Sequence, residues 1–430
     1  QDHLIENTNV GHGWVEGGSL FGSHSSLYLT GCWAAALEEG AIMAAALKDR
    51  EADSYKQEVK LLRNIVDRKF WNYSSGFYSY GLNMDGSYRT DPTILPAVPA
   101  YFGVLDIDKT RFVLNQYASN AFSTNWGARI IGEDSPMFKP TGYHCGSVWP
   151  LFTGWTSLAE YRYGNYIQGF THIMNNLNVY KNWGYGYVEE VLNGAEYQPS
   201  GVCSHQCWSE TMVLQPVIEG MLGLEIEAQH NTIHLSPRLP ANWDSLRVEH
   251  IRMRNQFLNF SFSRDSTTLH WHFTFTGETS VNLEFMPVVP PGTQIKQVLV
   301  DGKEYPFASF TTSRFRTLQV NLKIDGESTV EVKYHGGISI LPQVYNPTPG
   351  DLAEGLRIID AYRKGSNYLI DLEGLSGSHD TISVWSYFPI TDTLMNAKIV
   401  SQKGPITKLL VDFEGADEKY MRETILLRQK

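Results

Sequence analysis

Residues 27–48 read LYLTGCWAAALEEGAIMAAALK, a run rich in Ala and Leu in which apolar residues recur every three or four positions. This spacing is the period of an α-helix, and no strand-like alternation interrupts it. Six more helical segments are predicted over 53–71, 93–104, 108–122, 146–163, 165–180 and 205–222. Seven helices in succession, joined by loops rich in Gly, Pro, Asn and Ser, predict helix-on-helix packing.

The pattern changes near residue 224, where short segments alternate apolar and polar residues between turns such as Asp301-Gly302 and Asp325-Gly326. This alternation predicts an antiparallel β-domain, a sandwich, over 223–337. Gly336-Gly337 and the stretch NPTPG mark a second boundary, after which strand-like segments resume. The predicted domains are therefore a helical portion over 1–222, a β-sandwich over 223–337 and a smaller β-module over 338–430.

Composition narrows the class of protein. The chain has 430 residues, 42% of them hydrophobic, and its 35 Lys and Arg against 46 Asp and Glu give a net charge of −11. An acidic chain of this kind is a poor candidate for binding nucleic acid through its phosphates. No run reaches the roughly 18 apolar residues that a membrane span needs, and four Cys residues do not make a disulfide scaffold.

A first loop with potential chemistry is GHGWVEGG at 11–18, just before the first long helix. It places one carboxylate, Glu16, near the indole of Trp14. Packing against the indole would exclude water and raise the pKa of Glu16, which suits a general acid. The alternative is a solvated carboxylate in a loop, and the motif alone leaves both interpretations open.

A second pair of segments, STNWGAR at 123–129 and GYHCGSVWP at 142–150, is rich in aromatic and hydrogen-bonding side chains. Indole rings stack on sugars, and cationic or hydroxyl groups donate to sugar hydroxyls, so the mixture suits a sugar pocket. The alternative is that both Trp residues belong to the core and that the His caps a helix. The candidates are Trp126, Arg129, Tyr143, His144 and Trp149.

A third pair of segments, GYGYVEEVL at 184–192 and SHQCWSE at 204–210, contains adjacent carboxylates. Either Glu189 or Glu190 can serve as a general base. Neighbouring side chains of an extended segment face opposite ways, so only one of the two should point into a pocket. The alternative is an exposed acidic pair.

Other kinds of site are disfavoured. Cys203, His205 and Cys207 resemble metal ligands, but no second pair at zinc-site spacing accompanies them. The glycine-rich loops lack dinucleotide and phosphate fingerprints, and no Gly-x-Ser-x-Gly elbow indicates a serine hydrolase. Neither a metal nor an organic cofactor is predicted.

Taken in order, HGWVEGG, STNWGAR, GSVWPLFTGW and EEVLNG followed by SHQCWSETMV resemble bacterial amylo-α-1,6-glucosidase (glycogen-debranching) proteins. These belong with the glucoamylases and processing α-glucosidases. The resemblance covers residues 10–222 and implies an (α/α)6 barrel followed by a β-domain. It also implies exo-acting, inverting hydrolysis of α-linked glucosides in an oligosaccharide or polysaccharide, and makes an extracytoplasmic location slightly favoured.

The resemblance also implies roles for residues. Glu16 would be the general acid and Glu190 the general base, with Glu189 as the alternative. Inversion requires the two carboxyl groups to lie roughly 6.5–9.5 Å apart, with a water between them. The residues implied to contact the substrate are Trp14, Trp126, Arg129, Tyr143, His144, Trp149, His205 and Trp208.

Two departures from the family pattern matter. The barrel has twelve helices, whereas this chain has seven before the β-region, which corresponds to helices 6–12. An upstream segment or a separate chain is therefore expected to complete the barrel. Asn125 stands where relatives would have an acidic residue.

Two alternatives to the implied function remain. One is an α-L-rhamnosidase or another glycosidase on the same barrel. The other is a non-catalytic carbohydrate-binding or structural fragment whose activity needs the missing half.

The module at 338–430 contains two candidate glycan-binding aromatics, Trp385 and Tyr387. The alternative is that both are core or edge residues, as Trp and Tyr in strands more often are.

Overall fold

The computed structural model describes residues 2–7, 13–18, 20, 23–390, 393–415 and 418–428. The chain divides into two compact units. Unit 1 comprises Gln1–Pro216 and Val344–Arg357, and unit 2 comprises Val217–Gln343 and Ile358–Lys430. The strands of both predicted β-modules thus lie in unit 2.

No helix in the described part of the chain has the length and apolar character of a membrane span.

Within its described residues, unit 1 contains the seven predicted helices. The last predicted helix is shorter than expected, because a π-helical turn, Pro216–Met221, follows it; proline lacks the N–H that would continue an α-helix. The bounds are α1 (Leu27–Ala46), α2 (Ala52–Phe70), α3 (Ala97–Tyr101), α4 (Ile107–Tyr117), α5 (Pro150–Tyr163), α6 (Tyr166–Val179) and α7 (Cys207–Gln215).

Local signals explain several helix ends. Ser26 accepts a hydrogen bond from the backbone N–H of Leu29 at the start of α1, 3.3 Å away. The carboxylate of Asp106 caps α4 through two backbone N–H groups, each at 3.0 Å. Such caps satisfy N–H groups that lack partners in the first helical turn. At the other end of a helix, α5 stops at Gly164, whose φ of 89° suits glycine.

Neighbouring helices pack in a regular order. α3 packs against α1 and α5, α7 packs against α5 and α6, and α2 packs against α1. Gly154 allows the close approach of α5 and α7, because a Cβ there would lie 2.3 Å from the Cβ of Met212. Asn176 of α6 donates to the carbonyl oxygens of Pro150 and Met212, at 2.9 and 3.2 Å. These contacts hold α5, which begins directly after the candidate residue Trp149.

Short strands connect the helices of unit 1. They pair antiparallel as β1 with β4, β2 with β3 and β5 with β6. Their bounds are β1 (Ser25–Ser26), β2 (Trp71–Asn72), β3 (Phe77–Tyr78), β4 (Gly81–Leu82), β5 (Ser123–Thr124) and β6 (Gly127–Ala128).

The segment Val344–Arg357, predicted to lie in the C-terminal β-module, belongs with the helices instead. Asn178 of α6 donates to the carbonyl of Tyr345 at 3.0 Å. The guanidinium of Arg357 donates to the Asn125 side chain at 2.7 Å and to the carbonyl of Ser123 at 3.2 Å. These hydrogen bonds join residues more than 150 positions apart, so no local pattern could indicate them.

The first β-module of unit 2 has two sheets. One has the order β15-β14-β18-β11-β10-β9, and the other has the order β13-β17-β12-β8-β7 with β16 on β17. The bounds are β7 (Leu224–Glu227), β8 (Thr232–Leu235), β9 (Ser245–Met253), β10 (Gln256–Arg264), β11 (Thr268–Thr276), β12 (Val281–Phe285), β13 (Val288–Val289), β14 (Gln294–Val300), β15 (Lys303–Glu304), β16 (Ala308–Thr311), β17 (Arg316–Ile324) and β18 (Glu327–His335).

Aromatic rings join these two sheets into a sandwich. The ring of Phe285, on β12, lies 5.0 Å from Trp271 and 5.3 Å from Phe273, which are both on β11. All three side chains are buried. The alternation of buried and exposed residues that the sequence predicted for these strands is therefore the alternation of core and solvent faces.

The C-terminal module has two four-stranded sheets, β19-β22-β25-β24 and β20-β21-β26-β23. The hydroxyl of Tyr368, on β21, accepts a hydrogen bond from the backbone N–H of Ile340, on β19, at 3.1 Å and so links the two. The bounds are β19 (Ile338–Ile340), β20 (Arg357–Lys364), β21 (Asn367–Leu375), β22 (His379–Ser386), β23 (Thr393–Met395), β24 (Ala397–Lys403), β25 (Ile406–Asp412) and β26 (Tyr420–Arg428).

Candidate active site

Three of the motif segments are held side by side in unit 1. Val148 forms backbone bridges with both Arg129 and Leu192. The N–H groups of Val148 and Leu192 donate to each other's carbonyl oxygens at 2.8 and 2.9 Å. This small ladder brings the segments 123–129, 142–150 and 184–192 together, although the sequence separates them by up to about 60 residues.

Aromatic rings gather at the start of α5. The ring of Trp14 lies 5.1 Å from His144, 4.4 Å from Trp149 and 4.6 Å from Phe152. The ring of Tyr143 lies 4.6 Å from Trp149. Edge-to-face pairs at such distances are favourable and fix the ring orientations. The group formed by Trp14, Glu16, Tyr143, His144, Trp149 and Glu190 is named here the carboxylate cluster.

Glu190 is held within this cluster by a tyrosine. The Tyr143 hydroxyl donates to Oε1 of Glu190 at 2.8 Å, and the Glu190 side chain is buried. Burial, followed by the neighbouring Glu190 carboxylate, raises the pKa of Tyr143 well above its ordinary value. The hydroxyl therefore keeps its proton and remains a donor. Sequence reasoning treated Tyr143 as a donor to sugar, whereas in this structure its donor is directed to Glu190.

Glu16 lies on the other side of the neighbouring histidine. Its Oε2 is 4.0 Å from Nε2 of His144, while Nδ1 of His144 lies 3.2 Å from the carbonyl of Gly17. A carbonyl only accepts, so Nδ1 carries the proton and Nε2 faces Glu16 as an acceptor. Burial lowers the pKa of His144, while the hydrogen bond to the Gly17 carbonyl and the charges of Glu16 and Glu190 act in the opposite direction. The charges of both carboxylates therefore affect the pKa of one imidazole.

The environment of Glu16 differs from the expected one. Its side chain is 73% exposed, so the exclusion of water by Trp14 that the motif suggested is not observed. The reason is that the indole packs against His144, Trp149 and Phe152 and is not available to cover the carboxylate.

Glu189 faces a different environment from Glu190, as alternation along an extended segment predicts. It is 2% exposed, and neither carboxylate oxygen has a hydrogen-bond partner in another described residue. Burial raises the pKa of Glu189 to about 7, and its own backbone N–H opposes this only partly. Its charge acts on the hydroxyl of Tyr197, within a buried group that also includes Val188 and Leu192.

Trp126 and Arg129 were expected to contact the sugar, but both side chains are completely or almost completely buried. The indole of Trp126 donates to the carbonyl of Asn193 at 2.9 Å. Arg129 donates to the carbonyl of Gly194 at 2.6 Å and forms an ion pair with Glu133. With no exposed surface they cannot line an open pocket in this arrangement. They hold the turn that follows Glu190.

Trp149, which was also expected to contact the sugar, is buried as well. Its ring is fully buried, and its indole N–H donates to the carbonyl of Tyr143 at 2.8 Å. It therefore supports the backbone that carries Tyr143 and His144. Trp14 is only partly buried, and Tyr143 is partly exposed, so these two rings keep surface that a ligand can contact.

His205 and Trp208 lie on an exposed surface at the start of α7. The ring of His205 stacks on Tyr187 at 4.1 Å, and its Nε2 lies 3.0 Å from Glu210. Trp208 is 38% exposed. Within the described residues, the ring and ion-pair contacts of His205 are with Tyr187 and Glu210 and not with the carboxylate cluster. Cys203 and Cys207 are free thiols.

Two residues of this region were missed by sequence reasoning. Phe152 packs on Trp14, and its position on the first turn of α5 is the signal that could have indicated it. Arg357 binds Asn125, so the amide that replaces the expected acidic residue has a partner within unit 1. No sequence signal pointed to Arg357, which was expected in a different module.

Comparison with known proteins shows which class of enzyme two regions of the chain resemble. Residues 29–209 match the model of the mannosylglycerate hydrolase MGH1-like glycoside hydrolase domain. Residues 226–276 match the C-terminal domain of glycosyl hydrolase family 65. The helical region is similar to a glycoside hydrolase domain. The matched family is not the amylo-α-1,6-glucosidase one, so the resemblance in the motifs is supported at the level of glycoside hydrolases and not for debranching. No curated protein matches the chain.

Solved structures with similar parts include the GH63 mannosylglycerate hydrolase from Thermus thermophilus in complex with glucose. It is 16% identical with a TM-score of 0.39, over 44% of this chain and 47% of that one. The GH78 rhamnosidase of Bacillus sp. GL1 is 16% identical with a TM-score of 0.45, over 61% of this chain and 26% of that one. The chain thus matches less than half the length of each structure, and these likenesses carry no argument about activity.

Proposed function

We propose that this chain carries the acid–base residues of a glycoside hydrolase, with Glu16 as the general acid and Glu190 as the general base. The observation that carries the proposal is the position of the adjacent residues Tyr143 and His144. Tyr143 contacts Glu190 at 2.8 Å, and His144 lies 4.0 Å from Glu16. Carboxylates from motifs about 170 residues apart thereby flank one pair of adjacent side chains.

Each carboxylate has an environment that suits its proposed role. Glu190 accepts a hydrogen bond from Tyr143, which orients the carboxylate for the activation of water. Glu16 is exposed in the free chain. As the general acid, Glu16 would donate its proton to the leaving glycosidic oxygen of a bound sugar. A water between the two carboxylates would attack the anomeric carbon with inversion.

The partly exposed rings of Trp14 and Tyr143 are proposed as the sugar platform of this site. Trp208 and His205 are proposed for a more distant sugar unit, because their exposed surfaces are separate from the cluster. Trp126, Arg129 and Trp149 are proposed as supports, because they are buried and donate to backbone carbonyls near Glu190 and Tyr143.

We propose that the helical unit is part of an (α/α)6 barrel that further helices complete. Exposed apolar side chains on α1 and α7 support this, since large apolar surfaces on a folded protein commonly mark interaction sites. On α1 they include Trp33, Ile42 and Met43, and on α7 they include Leu214. The proposed substrates are α-linked glucosides cleaved from a chain end, and mannosylglycerate is a further candidate because the matched family is named for it.

The test is hydrolysis by the full-length protein of aryl α-glucoside, α-mannoside and α-L-rhamnoside, mannosylglycerate and maltotriose. Glu16→Gln and Glu190→Gln should each lower kcat/KM by about 10²–10⁴-fold, the usual contribution of a general acid or base. Glu189→Gln is the matched control and should keep most of the activity. The anomer released first, followed by NMR, should be inverted.

Near-full activity in Glu16→Gln or Glu190→Gln would overturn the assignment of that residue. A loss confined to Glu189→Gln would make Glu189 the base. Release of rhamnose alone would favour an α-L-rhamnosidase, and binding without turnover of any substrate would favour a non-catalytic carbohydrate-binding role.

A further inference from the structure

Unit 2 contains a cavity of about 540 Å³ that the proposed catalysis does not use. It lies where the turn between β10 and β11 meets the end of β22 and the turn between β24 and β25. Side chains of both β-modules line it. The ones that matter here are Asp244, Arg264, Ser266, Tyr334, Trp385 and Tyr387.

Aromatic rings form the wall of this cavity, named here the module cavity. Tyr387 follows β22 and is partly buried, and its ring lies 6.0 Å from Tyr334 in an edge-to-face arrangement. His335 supports the same ring at 4.7 Å. Trp385 is 6% exposed and is covered by the guanidinium of Arg264, 5.9 Å from its ring centre. The packing fixes these rings before any ligand binds.

Arg264 lies on the polar side of the cavity. Its guanidinium donates through Nη1 to the carbonyl of Ala241. Burial also lowers the pKa of this guanidinium. A guanidinium has five N–H donors, so Arg264 can donate to oxygen atoms of a ligand as well as to the Ala241 carbonyl.

The charges of the lining argue against a strongly anionic ligand. Asp244 is exposed next to Arg264, and Asp265 lies in the adjoining turn. The Asp265 carboxylate already accepts from the backbone N–H groups of Thr267 and Thr268, at 2.7 and 2.8 Å, and so shapes the turn. One guanidinium beside two carboxylates suits a neutral ligand rich in hydroxyl groups.

We propose that the module cavity binds a neutral sugar unit of a glycan, with the Tyr387 ring as platform and Arg264 and Asp244 as hydrogen-bonding partners. The volume lies within the usual range for small-molecule sites. The choice of a glycan rests on the proposed function, but the cavity itself does not. The site would hold the polymeric or oligomeric substrate independently of the carboxylate cluster.

The experiment measures binding and hydrolysis separately in the full-length protein. Binding of glucose, mannose, rhamnose, maltotriose and mannobiose to the Glu190→Gln variant is followed by calorimetry and by saturation-transfer NMR. Adding Tyr387→Ala should weaken binding of at least one of these sugars by about 10-fold or more, while Tyr387→Phe, which keeps the ring, should change it less than about threefold. Ser266→Trp, at an exposed turn position, should block the cavity without removing its wall.

Hydrolysis of a short aryl glycoside by Tyr387→Ala, in the protein with Glu190 intact, should stay within about twofold of the parent. The inference is overturned if no sugar binds, or if Tyr387→Ala and Ser266→Trp leave binding unchanged. If no substrate is hydrolysed but binding still depends on Tyr387, the proposed function fails and the cavity site stands. Near-UV circular dichroism of each variant establishes that a loss of binding is not a loss of fold.

Discussion

At the residue scale, two adjacent glutamates have different environments because of the backbone that carries them. Glu190 contacts a tyrosine hydroxyl, whereas Glu189 is buried and its carboxylate has no hydrogen-bond partner in another described residue. An ionised carboxylate in such a place is costly, which is why burial raises the pKa of Glu189 to about 7.

This shift predicts a pH dependence of stability. The folded pKa of Glu189, about 7, exceeds its ordinary value of 4.5, so between these values the folded state binds more protons than the unfolded state. The contribution of Glu189 is therefore fully present below about pH 4.5 and is lost as the pH rises through 7. Glu189→Gln should have a Tm close to that of the parent at pH 5 and a higher Tm at pH 8.

The matched control is Glu39→Gln, at an exposed position of α1, which should leave the difference between the two pH values unchanged. Calorimetry at both pH values makes the measurement. A Glu189→Gln variant whose Tm varies with pH as steeply as that of the parent would contradict the prediction.

At the scale of elements, a buried pair connects α5, α6 and the hairpin β5–β6. The imidazole of His172 lies 2.7 Å from the carboxylate of Glu160, and both side chains are almost completely buried. The other ring nitrogen of His172 lies 2.8 Å from the hydroxyl of Ser123 on β5. Burial raises the pKa of Glu160, and His172 acts in the opposite direction. This pair helps to position the segment 123–129.

Removing one member of this pair should be strongly destabilising. In His172→Leu, Glu160 must keep a buried charge without a partner or take up a proton. We expect a loss of about 3–5 kcal/mol in the free energy of unfolding, measured by urea denaturation. The double variant with Glu160→Leu should recover much of this loss, since two apolar side chains can pack together.

The half-buried pair of His3 and Glu58, at 2.6 Å, is the control for this comparison. His3→Leu should cost less than about 1 kcal/mol, because water still reaches both groups. Equal losses in His172→Leu and His3→Leu would show that burial does not govern the cost.

At the scale of the whole molecule, the β-modules belong together because side chains bind across them. Arg314, just before β17, contacts the carboxylate of Asp360 on β20 through Nε at 2.9 Å and Nη2 at 2.5 Å. The backbone N–H of Arg363 donates to the carbonyl of Ser313 at 2.7 Å. A bidentate pair of this kind is among the stronger side-chain contacts.

Because each unit has its own core, we expect two transitions in calorimetric unfolding. Asp360→Asn should lower only the transition of unit 2. A loss of about 2 kcal/mol, as for a hydrogen bond to a charged group, corresponds to a fall of roughly 4–8 °C for a unit of about 200 residues. His172→Leu should lower only the other transition. A single transition lowered equally by both variants would contradict the expectation.

Much of the architecture could be predicted from the sequence. Periodicity of apolar residues is a local property, so the seven helices and the alternating strands were recognisable from 27–48, 53–71 and the segments after 224. The candidate chemistry was recognisable for the same reason. Glycine-rich loops that contain carboxylates and indoles, such as 11–18, stand out without knowledge of their neighbours.

Tertiary structure alone decided which side chains are buried. Trp126, Arg129 and Trp149 have the composition of a sugar pocket, but packing leaves them no exposed surface. The segment Val344–Arg357 joins the helices through partners more than 150 residues away, and the proposal of Glu190 as the base rests on its contact with Tyr143. Burial depends on contacts between distant segments, whereas periodicity depends only on neighbours, so the sequence by itself determined the elements and the folded chain determined which side chains stay exposed.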